Sequence, residues 1–212
     1  KSVTPQTSTP PPSIVEVDLL NLDSARRARI GRENYADTAY LQYTSGSTRQ
    51  ASGVMVTHQN VMTNLGQLIS DTFEDRGNVA PPDITVVSWL PFYHDLGLMC
   101  GIAFPIVAGL RTVFTSPMSF LQRPARWMQL VARNPRAYTG GSNFAYELAV
   151  RRTTDEDMAG LDLGSAHTFA LGAERVHAAT IRRFTRRFAP FNLRESALRP
   201  GYGLAEATVY AT

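Results

Sequence analysis

Lysine is almost missing from this chain: Lys1 is the only one, and every other basic side chain is arginine. Without a Gly-Lys-Ser/Thr step anywhere, a Walker-type phosphate loop is excluded. Cysteine is equally scarce. The one present, Cys100, sits in an apolar run, so an internal disulfide framework is excluded and a core-packing role in a reducing, cytoplasmic setting is expected. No run is long and apolar enough for an integral membrane segment, and the first residues lack the pattern of a signal peptide. The chain starts at Lys1 without an initiator methionine, which leads us to expect a piece of a longer protein. Charge is also sparse. A net +3 is a small excess, and the arginines are scattered or paired on presumed helix faces, as in Arg182-Arg183 and Arg186-Arg187. That argues against nucleic acid as the partner. What remains is 212 residues, 43% of them hydrophobic, enough for one sizeable core or two small ones.

Residues 1–13, with Pro10-Pro11-Pro12, read as an extended connector, and residues 14–212 as the folded part. A short strand is expected at 14–17 and a polar helix or loop at 19–29, where Arg26-Arg27 reads as a solvated face. Further strands are expected at 39–43, 84–90, 111–114, 137–139 and 168–171. Between them, helices are expected from the N-cap Thr57 to about Phe73 and at 97–108, 124–133, 144–152 and 176–188, with 153–164 irregular. This alternation implies an α/β fold, a mainly parallel sheet with helices on both faces. Ligands in such folds bind at the carboxyl ends of the strands.

Several loops after expected strands carry chemistry. Residues 43–53 pack Thr44, Ser45, Gly46, Ser47 and Thr48 together, with a second glycine at Gly53. Close backbone approach, N–H groups and hydroxyls suit an anionic phosphate chain, although the same composition also makes a surface turn. In 89–98, His94 follows a strand end beside Asp95. It either orients an anionic substrate or bonds its neighbour structurally. The run 139–148 contains Gly140, Gly141, Ser142, Asn143 and Phe144. It is either a ligand-facing segment with aromatics lining an apolar channel or a plain strand–helix turn. Near the end, Tyr202 can stack on a purine, Gly203 lets backbone approach, and Glu206 offers oxygen to Mg²⁺.

Spelling and order add a resemblance. Thr44-Ser45-Gly46-Ser47-Thr48-Arg49 resembles the phosphate loop of adenylate-forming enzymes, with Arg49 where the superfamily has Gly and Ala51-Ser52 where it has Pro-Lys. Trp89-Leu90-Pro91-Phe92-Tyr93-His94-Asp95 is similar to the aromatic/His motif, and 139–148 to the acyl-tunnel segment. Gly172-Ala173-Glu174, within 171–176, resembles the adenine turn, and 201–208 the Tyr-Gly-x-Thr-Glu motif with Ala205 in place of Thr. The Ser-Thr-Arg and Leu-Ala-Glu-Ala-Thr spellings are those of one branch, the fatty acyl-AMP ligases.

The resemblance implies part of a large N-terminal adenylate-forming domain, without the mobile C-terminal domain. Its reaction would be activation of a long-chain fatty acid by ATP to acyl-adenylate and pyrophosphate, for transfer to an acyl-carrier protein or polyketide synthase. Thr44 to Thr48 would hold the phosphates, Thr48 and Glu206 the Mg²⁺, and His94 and Asp95 the carboxylate end. Gly140 to Phe144 would border the acyl chain, and Gly172, Ala173, Glu174, Tyr202, Gly203 and Leu204 the nucleotide. Family members take their catalytic lysine from the C-terminal domain, a role Lys1 cannot fill, so this chain alone is expected to be inactive. The alternatives are an acyl-CoA ligase of the same superfamily, a non-catalytic nucleotide- or acyl-binding module, and an arginine-rich nucleic-acid binder.

Overall fold

A computed structural model of the protein describes residues 37–44 and 52–212. The expected connector, the strand at 14–17, the segment at 19–29 and the loop residues Ser45, Gly46, Ser47 and Thr48 lie outside the described residues.

Two strands, β1 (Thr38–Thr44) and β2 (Ser52–Thr57), pair antiparallel with Thr44 opposite Ser52 and Tyr43 opposite Gly53. This corrects the expectation of a loop running through Gly53 into a helix. Val54-Met55-Val56 is itself a strand-forming run and pairs back on β1. Helix α1 (His58–Thr72) starts directly after it. Thr57 caps it as expected, its hydroxyl accepting from the Asn60 amide at 3.0 Å while the Asn60 side chain accepts from the Thr57 amide at 3.0 Å.

The remaining strands form one five-stranded parallel sheet: β3 (Thr85–Ser88), β4 (Arg111–Phe114), β5 (Ala137–Gly141), β6 (Thr168–Leu171) and β7 (Leu198–Pro200), in the order β4-β3-β5-β6-β7. Adjacent residues of a strand face opposite ways, and the core divides accordingly. Val86 and Tyr138 join Leu65, Leu68, Met99 and Phe104 on the side of α1. Val87, Ala137 and Phe169 join Trp127, Tyr146 and Phe184 on the other side. That second face is covered by α5 (Ala125–Arg133), α6 (Asn143–Arg152) and α7 (Ala178–Phe188), so helices flank the sheet on both sides as expected. Trp127 is its centre. The indole N–H donates to the Thr139 hydroxyl at 2.7 Å, which donates in turn to the Val87 carbonyl at 2.7 Å.

The helix expected at 97–108 is present and unbroken from Asp95, as α2 (Asp95–Leu98), a π-helical turn at Met99–Ala103 and α3 (Phe104–Ala108). Pro105 has no N–H for the carbonyl four residues back, and the ladder widens where that bond is missing. Helix α4 (Pro117–Gln122) and strand β7 were not expected, although Ser116 caps α4 and Pro117 opens it, and the strand at 84–90 is shorter than expected.

Candidate functional site

Because all five sheet strands are parallel, the loops after them emerge along one edge. A cavity of about 760 Å³ opens there and extends under the sheet on the α1 side. Its mouth is built from the end of β1, the loop after β3, the end of β5 and the turns after β6 and β7. Thr44, His94, Asp95, Gly140, Gly141, Gly172, Ala173, Tyr202, Gly203, Leu204 and Glu206 all line it. Ser142, Asn143, Phe144 and Glu174 do not. Glu174 lines a neighbouring pocket of about 600 Å³, which shares Ala173, Tyr202 and Gly203 with the first.

His94 is fixed by its neighbour. Its Nδ1 stands 2.6 Å from Asp95 Oδ1, a separation that places a proton between them and leaves Nε2 for another partner. The Leu96 amide donates to the same carboxylate oxygen at 2.7 Å, which orients it at the start of α2. This hydrogen bond to Asp95 holds the imidazole above its ordinary pKa, against an opposing effect of burial. Gln42 on β1 donates to the Tyr93 carbonyl at 3.4 Å, tying the hairpin to the histidine loop.

The floor of the cavity is small. On β5, a Cβ at Gly140 would stand 2.8 Å from the Ala170 carbonyl, so only glycine fits that register. Asn143 and Glu174 serve the scaffold. The Asn143 carboxamide donates to the Arg175 carbonyl and accepts from the His177 amide at 3.1 Å, pinning the loop after β6. Glu174 accepts from the Phe144 amide at 3.1 Å at the first turn of α6. Phe144 itself is 57% exposed and faces away from the cavity lining.

After β7 the chain folds back on itself. The Tyr202 amide donates to the Thr212 carbonyl at 2.7 Å, and the Tyr202 carbonyl accepts from the Ala211 amide at 3.0 Å. A Cβ on Gly203 would overlap the Val209 carbonyl, so the loop closes only with glycine there. Thr208, buried within it, has φ +71 and ψ −60, and the Val209 amide donates to the Ala207 carbonyl at 2.9 Å. This is a γ-turn of the strained hand, unusual for a β-branched residue. It follows the Ala205–Ala207 turn that carries Glu206.

Sequence reasoning missed several lining residues. Asp71 and Tyr210 are joined by a phenol donating to Oδ2 at 2.6 Å, and Arg199 and Thr168 also line the cavity. Burial, then the bond to Asp71, push the Tyr210 phenol up to about 12. Cys100 also lines the wall, its thiol pushed up to about 12 by desolvation and so inert.

The carboxyl edge of this α/β sheet thus gathers the end of a hairpin, a paired histidine, an exposed tyrosine and a carboxylate around one cavity. Comparison with known proteins identifies the family. The family model described as AMP-binding enzyme matches residues 6–212, and the chain belongs to that family. It is 59% identical over 200 residues to the long-chain-fatty-acid–AMP ligase FadD28 of Mycobacterium tuberculosis, covering 94% of this chain and 34% of that protein. It is 58% identical to the 4-hydroxyphenylalkanoate adenylyltransferase of the same species, covering 94% of this chain and 32% of that protein. The fold superposes on the fatty acyl-adenylate ligase of L. pneumophila, solved with acyl adenylate and pyrophosphate. There the TM-score is 0.75 at 42% identity, with 83% of this chain and 30% of that one covered. The chain thus spans about a third of the length of the curated relatives it matches.

Proposed function

We propose that this chain is part of the large N-terminal domain of a fatty acyl-AMP ligase, acting on a long-chain fatty acid and ATP. The observation that carries the reading is that turns far apart in sequence, ending in Thr44, His94, Gly172, Tyr202 and Glu206, meet around one cavity. The fatty acid carboxylate attacks the α-phosphorus of ATP, forming the acyl–phosphate bond and breaking the bond to the β-phosphate, so that pyrophosphate leaves. Protein groups contribute positioning and charge neutralisation. Ser45, Gly46, Ser47 and Thr48, continuing from Thr44, hold the departing phosphates. His94, oriented by Asp95, binds the carboxylate through Nε2. Tyr202 stacks on adenine against Gly172 and Ala173, with Gly203 and Leu204 along the ribose-phosphate and Glu174 at the pocket beside them. Gly140 and Gly141 leave room for the acyl chain, and Ser142, Asn143 and Phe144 support that segment from behind.

Mg²⁺ fits this arrangement in one way only. Among the described residues no group of three metal-ligating side chains occurs, so a cage of protein ligands is absent there. A magnesium ion carried on phosphates needs only one or two carboxylates and keeps its waters, and Glu206 with Thr48 supplies that. When bound, the ion neutralises phosphate charge.

The acyl-adenylate passes to an acyl-carrier protein or polyketide synthase in the cytoplasm, and the 212-residue chain alone does not complete the reaction. Pyrophosphate release from ATP and a long-chain fatty acid tests this. The full-length protein should release it and accumulate acyl-adenylate; the isolated chain should not. Formation of acyl-CoA in place of acyl transfer to a carrier protein would move the assignment to the acyl-CoA ligase branch. Absence of pyrophosphate from the full-length protein would leave a binding module.

A further inference from the structure

Tyr138 carries a buried hydroxyl for which the described residues offer no partner. On β5 it stands between Val86 of β3 and Thr168 of β6, and the three line the cavity as one row across the sheet. Gly140 and Ala170 form the next row towards the carboxyl edge, on the same face. The Tyr138 row therefore lies two residues further in, roughly 7 Å at about 3.3 Å per strand residue.

Packing fixes where the side chain stands. Tyr138 is 4% exposed, its ring lies 5.0 Å from that of Phe104, and it shares an apolar cluster with Leu65, Leu68 and Met99 on the α1 side of the sheet. Among the described residues the phenol oxygen makes no hydrogen bond. The Trp89 indole nitrogen is also unpartnered but is sealed in the interior, whereas the Tyr138 oxygen keeps contact with open space, and the space beside it is the cavity. Neighbouring hydroxyls are all used. Tyr146, buried on the opposite face, donates to the Ala170 carbonyl at 2.9 Å, and the Thr168 hydroxyl is paired with His167 Nδ1 at 2.8 Å. Burial pushes the Tyr138 phenol well above its ordinary pKa, so it stays an O–H donor. A plain hydrocarbon chain laid along this wall would strip water from the phenol and leave it unpaired, a cost that an oxygen on the chain removes.

We propose that Tyr138 is a specificity-determining residue whose hydroxyl donates to an oxygen carried along the acyl chain. The preferred substrate class is then a carboxylic acid with a hydroxyl or keto group on the stretch that passes β5, set back from the carboxylate by the depth of the Tyr138 row. This rests on the reading of the cavity as an acid-activating site.

The test uses the full-length protein and pyrophosphate release. Hexadecanoate is compared with hydroxy- and oxo-hexadecanoates in which the oxygen is stepped from the β-carbon towards the far end, in wild type and Tyr138→Phe. At the position that meets Tyr138, wild type should favour the substituted acid by about tenfold in kcat/KM, carried by KM, and the preference should fall away at positions on either side. A peak in either series supports the proposal. Y138F removes the hydroxyl alone and should bring the ratio at that position near one. Its melting temperature should match wild type, because no bond within the protein is lost. A wild-type ratio near one at every position overturns the proposal, as does a peak that Y138F leaves intact. A lowered Y138F melting temperature also overturns it, by showing that the hydroxyl serves the fold. Failure of every acid, plain or substituted, to release pyrophosphate would instead overturn the acid-activating reading itself.

Discussion

The carboxamide of Asn64 on α1 holds both backbone groups of Tyr210, 146 residues further along the chain. Its nitrogen donates to the Tyr210 carbonyl at 2.6 Å, and its oxygen accepts from the Tyr210 amide at 3.0 Å. Asn64 is buried, so no solvent replaces these bonds when the side chain is cut back. Asn64→Ala should lower stability by about 1–3 kcal/mol, read from urea unfolding. AMP affinity should weaken with it, because the segment that Asn64 anchors is the one that folds back on Tyr202. An N64A protein with an unaltered unfolding midpoint would show that the clamp contributes nothing.

Gly203 makes a sharper demand. A methyl group there meets the Val209 carbonyl, whereas one on Gly201 has the Thr212 carbonyl as nearest neighbour at 3.5 Å, an ordinary contact. Gly203→Ala should therefore cost about 1–3 kcal/mol and loosen the Tyr202–Thr212 pairing. Gly201→Ala should unfold near the wild-type temperature. Thermal melts of the two variants side by side check this, and equal melting points would contradict it.

Those two sites differ in how far sequence reveals them. Gly203 lies in a motif whose spelling singles it out, while nothing around Asn64 marks it as more than one polar position on a helix. The same division runs through the fold. Strands β4 and β6 have the bounds that periodicity and flanking turns imply, and Thr57 caps α1 through a local four-residue signal. Strand β2 was hidden because Ser52 to Thr57 continues a Ser/Gly-rich run and needs β1 to declare it a strand. Strand β7 is three residues long, too short for any period. In the cavity, side chains that follow strand ends were legible from placement. Asp71, Tyr210, Thr168 and Arg199 were not, since each becomes a lining residue only when α1 and the sheet come together. Phe144 is the converse case, an aromatic at a plausible position whose helix turns it outward.

Glu206 lines the cavity together with Thr44 from the end of β1. As the one carboxylate on the turn after β7, it is the group that would meet a phosphate-borne cation. Glu206→Gln keeps the shape and removes the charge. In the full-length protein it should reduce kcat by about tenfold or more and raise the Mg²⁺ concentration giving half-maximal rate. A magnesium titration of pyrophosphate release checks both. A rate loss with an unmoved magnesium midpoint would place Glu206 elsewhere in the mechanism.

The pair His94–Asp95 gives the site a pH dependence whose sign follows from the direction of the shift. The hydrogen bond from Asp95 raises the imidazole above 6.5 and burial opposes it only in part, so the protonated ring is favoured in the folded protein. Its contribution to stability is complete below 6.5 and disappears as pH rises through the elevated value. The side chain is 52% exposed, so that contribution is small and function is the better readout. If His94 binds the acid as proposed, a protonated ring would attract its carboxylate, and affinity should fall as the ring loses its proton. Asp95→Asn removes the anionic partner, so the His94 midpoint, followed by its ring-proton NMR signal, should move down. The pH at which KM for the fatty acid begins to rise should move with it. If KM rises at the same pH in D95N and wild type while the NMR midpoint shifts, the acid is not bound by His94.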